Sequence, residues 1–198
     1  MGLPLRDTAH HTYGEYLRWP DDVRYELIDG EARMMAPAPT ADHQDIAGEI
    51  YYQLRRALEG APCRVFIAPF DVRLPRGNEA DETVDTVVQP DVLLVCDPAK
   101  LDRRGVRGAP DWVVEVLSPS TAAHDQIAKR RVYERAGVRE YWLVHPTDRT
   151  LTVYTLQDGR YAAAPRIAEL KGATRLGILP EVEIVWDALV ARLSPPEL

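Results

Sequence analysis

The chain has 198 residues, and 45% of them are hydrophobic, which is enough for a packed core and excludes a wholly disordered protein. Its formal net charge of −7 argues against a generally basic protein, although a local basic patch could still follow nucleic-acid phosphates. Apolar runs are too short to span a bilayer, and the N-terminus lacks a signal-peptide core. We therefore expect a cytoplasmic protein with no membrane partner.

The N-terminal part of the chain predicts two helices separated by a hairpin. The first twenty residues are typical of a short helix laid against the body. Residues 25–35 predict a β-hairpin, because its central Asp29-Gly30 pair favours the tight turn. Thr40 can cap a helix that runs to about Leu58, with apolar residues recurring at helical spacing.

The rest of the chain predicts a mixed sheet with helices on its faces. The predicted elements are three strands (65–74, 87–96 broken by Pro90, and 112–117), a helix (121–136), a fourth strand (141–144), a late hairpin (151–161) and a small helix from about Trp186. This order is typical of an α/β, or α+β mixed-sheet, protein. With no repeat and no linker, the sequence predicts a single domain over residues 1–198.

Two cysteines, Cys63 and Cys96, each lie in an apolar, strand-like run. They lack the spacing of metal ligands, and we predict that both are reduced thiols in the core.

Two carboxylates stand out by their location. Asp91 follows Pro90 at the start of an apolar run, and Glu115 lies inside the apolar strand 112–117. A buried carboxylate costs several kcal/mol unless it is paired, so Glu115 needs either an arginine partner or a metal ion. Two carboxylates on neighbouring strands favour a metal site, because Mg²⁺ is commonly held by one or two carboxylates.

Lys129 falls within the apolar arc of the second predicted helix. One interpretation is an ion pair with Asp125, four residues earlier, with the lysine head reaching solvent. Beside Asp91 and Glu115, Lys129 is instead interpreted as a group that orients water or stabilises charge on a phosphate.

Two further residues are candidates for the same site. His43 lies on the apolar stripe of the first long helix, either as a core histidine that donates to a backbone carbonyl or as a substrate contact. Glu26 shares a strand face with Ile28, and is either a third acidic residue of the site or a surface charge of the hairpin.

These residues carry a resemblance to a known family. The sequence is similar to the Uma family of bacterial restriction-type endonucleases, long called a domain of unknown function, over about residues 21–186. The matching motifs are YELIDGE at 25–31, His43, Pro90-Asp91, EVLSPST at 115–121, Asp125, Lys129, Tyr133 and GVREYWLV at 137–144.

The resemblance implies the PD-(D/E)XK nuclease fold, which has a restriction-endonuclease-like αβββαβ core. Here that core would carry an N-terminal β-hairpin and a C-terminal β extension. It also implies that Asp91 and Glu115 bind Mg²⁺ or Mn²⁺ and that a lysine assists. The sequence departs from the pattern at Leu117, where that lysine normally stands, and Lys129 is expected to supply the charge from the helix.

The expected function is therefore metal-dependent endonucleolytic hydrolysis of DNA phosphodiester bonds. The alternative is a non-catalytic nucleic-acid-binding or regulatory module that retains the nuclease fold. Either function would suit a basic track formed by Arg103, Arg104, Arg107, Arg130 and Arg131. The sequence leaves the formation of a homodimer open.

Overall fold

The computed structural model describes residues 6–20, 24–35, 39–117 and 125–195. Its helices are α1 (Tyr13–Tyr16), α2 (Ala41–Ala57), α3 (Arg130–Ala136) and α4 (Asp187–Val190), and a π-helical segment, Asp125–Lys129, runs directly into α3. Its strands are β1 (Arg6–Asp7), β2 (Tyr25–Ile28), β3 (Glu31–Met34), β4 (Arg64–Ile67), β5 (Val72–Arg73), β6 (Val87–Val88), β7 (Val92–Val95), β8 (Leu101–Asp102), β9 (Gly105–Arg107), β10 (Trp112–Val116), β11 (Glu140–His145), β12 (Thr150–Gln157), β13 (Arg160–Tyr161), β14 (Arg166–Glu169), β15 (Ala173–Arg175) and β16 (Glu183–Val185).

The central sheet has the strand order β13-β12-β11-β10-β7-β4, with β14 beside β12. Strands β4, β7 and β10 pair antiparallel, and β11 lies parallel to β10. A parallel neighbour requires a crossover, and the described part of this crossover contains α3. The elements α2, β4, β7, β10, α3 and β11 thus form the predicted αβββαβ core, confirming the fold.

The central sheet is covered on both faces. On β10, Val114 and Val116 pack in one apolar cluster with the buried stripe of α2. Val113 and Leu117 pack in a second cluster with Val132 of α3. Successive side chains of a strand point to opposite faces, so Glu115 belongs to the face that α3 covers.

A second sheet, the hairpin sheet, has the order β1-β3-β2-β6-β5-β9-β8. Strand β6 belongs to this sheet and β7 to the central sheet, with Pro90 in the short connection between them. Proline cannot donate to a ladder, so the predicted break at Pro90 is where the chain passes from one sheet to the other.

Several local predictions are confirmed. Asp29 and Gly30 both have positive φ angles, 54° and 83°, in the turn between β2 and β3. The Thr40 side chain accepts a hydrogen bond from the His43 N–H and caps α2. Gly137 ends α3 with a φ of 91°, in the left-handed region that favours glycine.

Other predictions need correction. The run 65–74 is two strands, β4 in the central sheet and β5 in the hairpin sheet, because the chain changes sheets here as well. The predicted start of the second helix, at residue 121, lies outside the described residues.

The prediction that the two cysteines are reduced is wrong, because Cys63 and Cys96 form a disulfide. Strands β4 and β7 pair antiparallel with Arg64 opposite Val95. Continuing that register by one residue places the cysteines opposite each other. The prediction used only the residues around each cysteine, and those residues do not show which strands become neighbours in the sheet.

Candidate active site

The buried centre of the site is an ammonium held between two carboxylates. Lys129 Nζ lies 2.9 Å from Glu26 Oε1 and 2.9 Å from Glu115 Oε1. The three side chains are only 4–6% exposed. Glu26 comes from the hairpin sheet, Glu115 from the central sheet and Lys129 from the last residue of the π-helical segment. We call this group the acid–lysine cluster.

Two further donors hold the carboxylates in place. The Tyr133 hydroxyl donates to Glu115 Oε1 over 2.7 Å, and the Gln89 backbone N–H donates to Glu26 Oε1 over 2.8 Å. Burial, and then the negative charge of Glu115, raise the pKa of Tyr133 well above its usual value. Tyr133 therefore keeps its proton and remains a donor to Glu115 at neutral pH.

Tyr133 was missed as a site residue, although a signal for it existed. It lies four residues after Lys129, so the two side chains share a helix face. The helical pattern assigned Tyr133 to the apolar side, which is correct for its ring but does not account for its hydroxyl.

Asp91 lies beside the acid–lysine cluster, directly before the first residue of β7. Its Oδ2 accepts a 2.7 Å hydrogen bond from the Val116 N–H and lies 3.2 Å from His43 Nε2. An ionised carboxylate can only accept, so Nε2 carries the proton in this contact. His43 thus reaches Asp91 from α2, whereas Lys129 approaches Glu115 from the opposite face of the sheet.

The two predicted metal ligands lie at the same end of the neighbouring strands β7 and β10. Val92 pairs with Val114, and Leu93 pairs with Val113. Asp91 directly precedes this paired stretch and Glu115 directly follows Val114, so both residues lie at the same end of the ladder, where Asp91 Oδ2 accepts from the Val116 N–H. The structure therefore brings Asp91, Glu115, Lys129, Glu26 and His43 to one end of the central strands.

The structure decides between several of the alternative interpretations. Glu26 is a buried member of the cluster and not a surface charge. The interpretation that the Lys129 head reaches solvent is wrong, since its side chain is 5% exposed. The side chain of Asp125, its other candidate partner, lies outside the described part of the structure. His43 contacts Asp91, and its buried Nδ1 has no hydrogen-bond partner among the described residues, so the backbone-carbonyl interpretation is wrong.

The predicted basic track is partly neutralised. Arg104 and Arg107 both form ion pairs with Asp81, and the guanidinium of Arg130 lies 5.2 Å from the centre of the Tyr154 ring. These three arginines therefore already have partners within the chain.

The fold and the site together define a class of protein. A mixed sheet between two helices, with carboxylates on its neighbouring central strands, is the restriction-endonuclease-like arrangement. A crystal structure from Anabaena variabilis ATCC 29413, described as "a putative nuclease belonging to DUF820", has this fold. It is 19% identical, with a TM-score of 0.71, over 91% of this chain and 97% of that one.

The family follows from sequence comparison. The model of the Uma2 family, described as "Putative restriction endonuclease", matches residues 13–186. The chain belongs to this family. It is also 30% identical to the uncharacterized protein slr1290 of Synechocystis sp., over 88% of this chain and 90% of that protein.

Among the described residues, no helix is long and apolar enough to cross a membrane.

Proposed function

We propose that the chain hydrolyses phosphodiester bonds in DNA, with Mg²⁺ or Mn²⁺ held by Asp91 and Glu115 and with Lys129 assisting. The observation that carries this proposal is the buried acid–lysine cluster next to Asp91 on the central strands of a restriction-endonuclease-like fold. Two buried carboxylates, Glu26 and Glu115, contact the ammonium of Lys129 there, and the partly exposed carboxylate of Asp91 lies at the start of the neighbouring strand β7. Carboxylates that lie this close together favour the binding of a hard cation.

The residues fit a divalent ion by their chemistry and by their number. Hard cations take oxygen ligands, and Mg²⁺ is often held by one or two carboxylates together with water and substrate phosphate. Asp91 Oδ1 has no hydrogen-bond partner among the described residues, whereas its Oδ2 is fixed by Val116. Within the described ranges, no three His, Cys, Asp or Glu side chains form a complete metal cluster. A two-carboxylate site that substrate completes agrees with both observations.

Each residue has a role that follows from its contacts. A bound ion would lower the pKa of its water and offset charge on the scissile phosphate. Val116 and His43 orient Asp91, and Tyr133 orients Glu115. Lys129 offsets part of the negative charge of Glu26 and Glu115 and places a fixed positive charge next to the two carboxylates.

The first prediction concerns cleavage. Wild-type protein is expected to nick supercoiled plasmid DNA in Mn²⁺, and Asp91→Asn should lower the rate on the order of 10²-fold or more, because a neutral amide is a poor ligand for a hard cation. Agarose gels of plasmid topology give the rate.

Asp148→Asn is the matched control for Asp91→Asn, since it changes an exposed aspartate in the turn between β11 and β12. If Asp91→Asn nicks as fast as Asp148→Asn, the assignment of the site is wrong. If wild type binds DNA but never nicks it with Mg²⁺ or Mn²⁺, the alternative of a non-catalytic binding module replaces the proposal.

A second prediction concerns metal linkage. Mg²⁺ or Mn²⁺ at a hundred times its dissociation constant should stabilise the fold by about 2.7 kcal/mol, because the folded chain binds the ion and the unfolded chain does not. Thermal melts across a metal titration measure the effect. The increase in Tm should disappear in Glu115→Gln, and an equal increase in that variant would contradict the assignment of Glu115 as a ligand.

A further inference from the structure

A cavity of about 410 Å³ is joined to the acid–lysine cluster through Gln89, and it is lined by residues of α1, of β2 and β9 in the hairpin sheet, and of the adjoining loops. The volume is within the range of small-molecule pockets, which is about 300–1,000 Å³. Gln89 links the two places, since its side chain lines the cavity while its backbone N–H donates to Glu26. We call this cavity the aromatic cleft.

Gln89, which lines the aromatic cleft, carries a hydrogen-bond acceptor that has no partner among the described residues. Its Nε2 donates to Asp71 Oδ1 over 2.8 Å and to the Tyr16 hydroxyl over 3.2 Å, which fixes the orientation of the amide. Its Oε1 is buried and has no partner among the described residues, although Gln89 as a whole is only 7% exposed. Leaving a buried acceptor unsatisfied is costly, so the position calls for a ligand with an N–H or O–H donor.

The walls of the cleft are aromatic. Tyr16, Trp19 and Phe70 all line it and are all partly exposed. The rings of Tyr16 and Trp19 contact each other edge to face, with centroids 5.5 Å apart, which holds Trp19 in place. Aromatic side chains of this kind provide stacking surfaces for the bases of single-stranded nucleic acids.

Positive charge lies at the rim. Arg24 and Arg103 line the cleft and are exposed, and neither forms an ion pair within the described residues. Arg104 also lines it but pairs with Asp81 and Glu82, so its charge is already offset. Two unengaged guanidinium groups beside an aromatic wall suit the phosphate that accompanies a base.

We propose that the aromatic cleft binds an unpaired nucleotide. Its base would lie against Trp19 and donate an N–H to Gln89 Oε1, and its phosphate would meet Arg24 and Arg103. Every nucleobase found in DNA carries an N–H donor on its pairing edge, and that edge is available only when the base is unpaired. The proposal rests on the proposed function in one respect, namely that the nucleotide belongs to a DNA strand. Binding in the cleft itself requires no cleavage. With this cleft, the protein would prefer single-stranded or locally opened nucleic acid to a closed duplex.

Binding can be measured without cleavage by keeping EDTA in the buffer. Trp112, Trp142 and Trp186 are fully buried, so quenching of tryptophan fluorescence by added nucleotide reports mainly on Trp19. We expect a single-stranded oligonucleotide of mixed sequence to quench this fluorescence and to bind more tightly than the same sequence as a blunt duplex. A mononucleotide is the third ligand, and quenching by the mononucleotide as strong as that by the oligonucleotide would identify free nucleotide as the source.

Variants test the cleft itself through the anisotropy of a fluorescein-labelled single strand. Trp19→Ala should weaken binding about tenfold, the scale of one lost stacking contact. Arg24→Gln and Arg103→Gln should each weaken it and lower the slope of log K against log salt by about 0.7. Arg160→Gln, at an exposed arginine on β13, is the matched control and should bind as wild type.

Failure of this inference differs from failure of the proposed function. The inference is overturned if all three cleft variants bind single strands as tightly as Arg160→Gln, or if the duplex binds as tightly as the single strand. Selective loss of binding in the cleft variants supports it, even for a chain that never nicks DNA. If plasmid nicking depends on Asp91 but Trp19→Ala does not change single-strand binding, the proposed function is supported and the inference about the cleft is wrong.

Discussion

Replacing Lys129 with alanine is expected to lower the free energy of unfolding by about 3–5 kcal/mol, the cost of removing one partner from a buried ion pair. Lys129 is almost fully buried between Glu26 and Glu115, and its loss leaves two buried carboxylates facing each other. Urea unfolding at neutral pH measures the change. Acidification should recover part of the loss, because a protonated carboxyl group no longer needs the ammonium.

Two matched variants separate charge from volume. Lys171→Ala removes an exposed lysine and should change stability little. Lys129→Met keeps most of the buried stem, so it should retain the electrostatic loss without the cavity. If Lys129→Ala is as stable as Lys171→Ala, the acid–lysine cluster does not form in solution.

The same lysine also tests the catalytic proposal. Under conditions where Lys129→Met remains folded, nicking should fall on the order of 10²-fold. Leu117 packs on the α3-covered face to which Glu115 belongs, so adding Leu117→Lys to Lys129→Ala should restore part of the activity. Full nicking by folded Lys129→Met would leave the lysine with a structural role only.

Reduction of the Cys63–Cys96 disulfide should lower the free energy of unfolding by about 3–4 kcal/mol, as chain-entropy arguments predict for a closed loop of this length. The bond joins residues 33 positions apart. Unfolding in urea with and without dithiothreitol measures the effect. The double variant Cys63→Ala, Cys96→Ala should be insensitive to the reductant, and two titratable thiols in the native protein would contradict the pairing.

Local chemistry in the sequence was enough to predict much of the fold. The Asp29-Gly30 turn, the Thr40 cap and the Pro90 break each depend on a few neighbouring residues, and all three are confirmed. The division into two sheets depends instead on which strands become neighbours, and no local pattern encodes that. The disulfide was missed for the same reason.

The candidate site shows the same limit. The apolar strand around Glu115 predicted a buried carboxylate, and helical spacing placed Lys129 on the helix face that is directed at the sheet. Helical periodicity predicts which face of the helix a side chain occupies but not how much of it is exposed to solvent, so it did not show that Lys129 is buried. Residues 125–129 are also π-helical, which an α-helical wheel does not describe. The contact with Glu26 joins a hairpin to a helix more than a hundred residues away in the sequence, and only the tertiary fold reveals it.

The short connection through Pro90 limits how the chain length can vary. Gln89 is fixed by its hydrogen bond to Glu26, and Asp91 is fixed by the Val116 N–H, with one residue between them. A single inserted residue would turn Asp91 to the other face of the strand or break one of these two contacts. Added length is far better tolerated at the exposed Gly77 and Asn78, where no strand pairing would shift. We therefore expect relatives that keep this chemistry to differ in length around Gly77 and to preserve the spacing from Gln89 to Asp91.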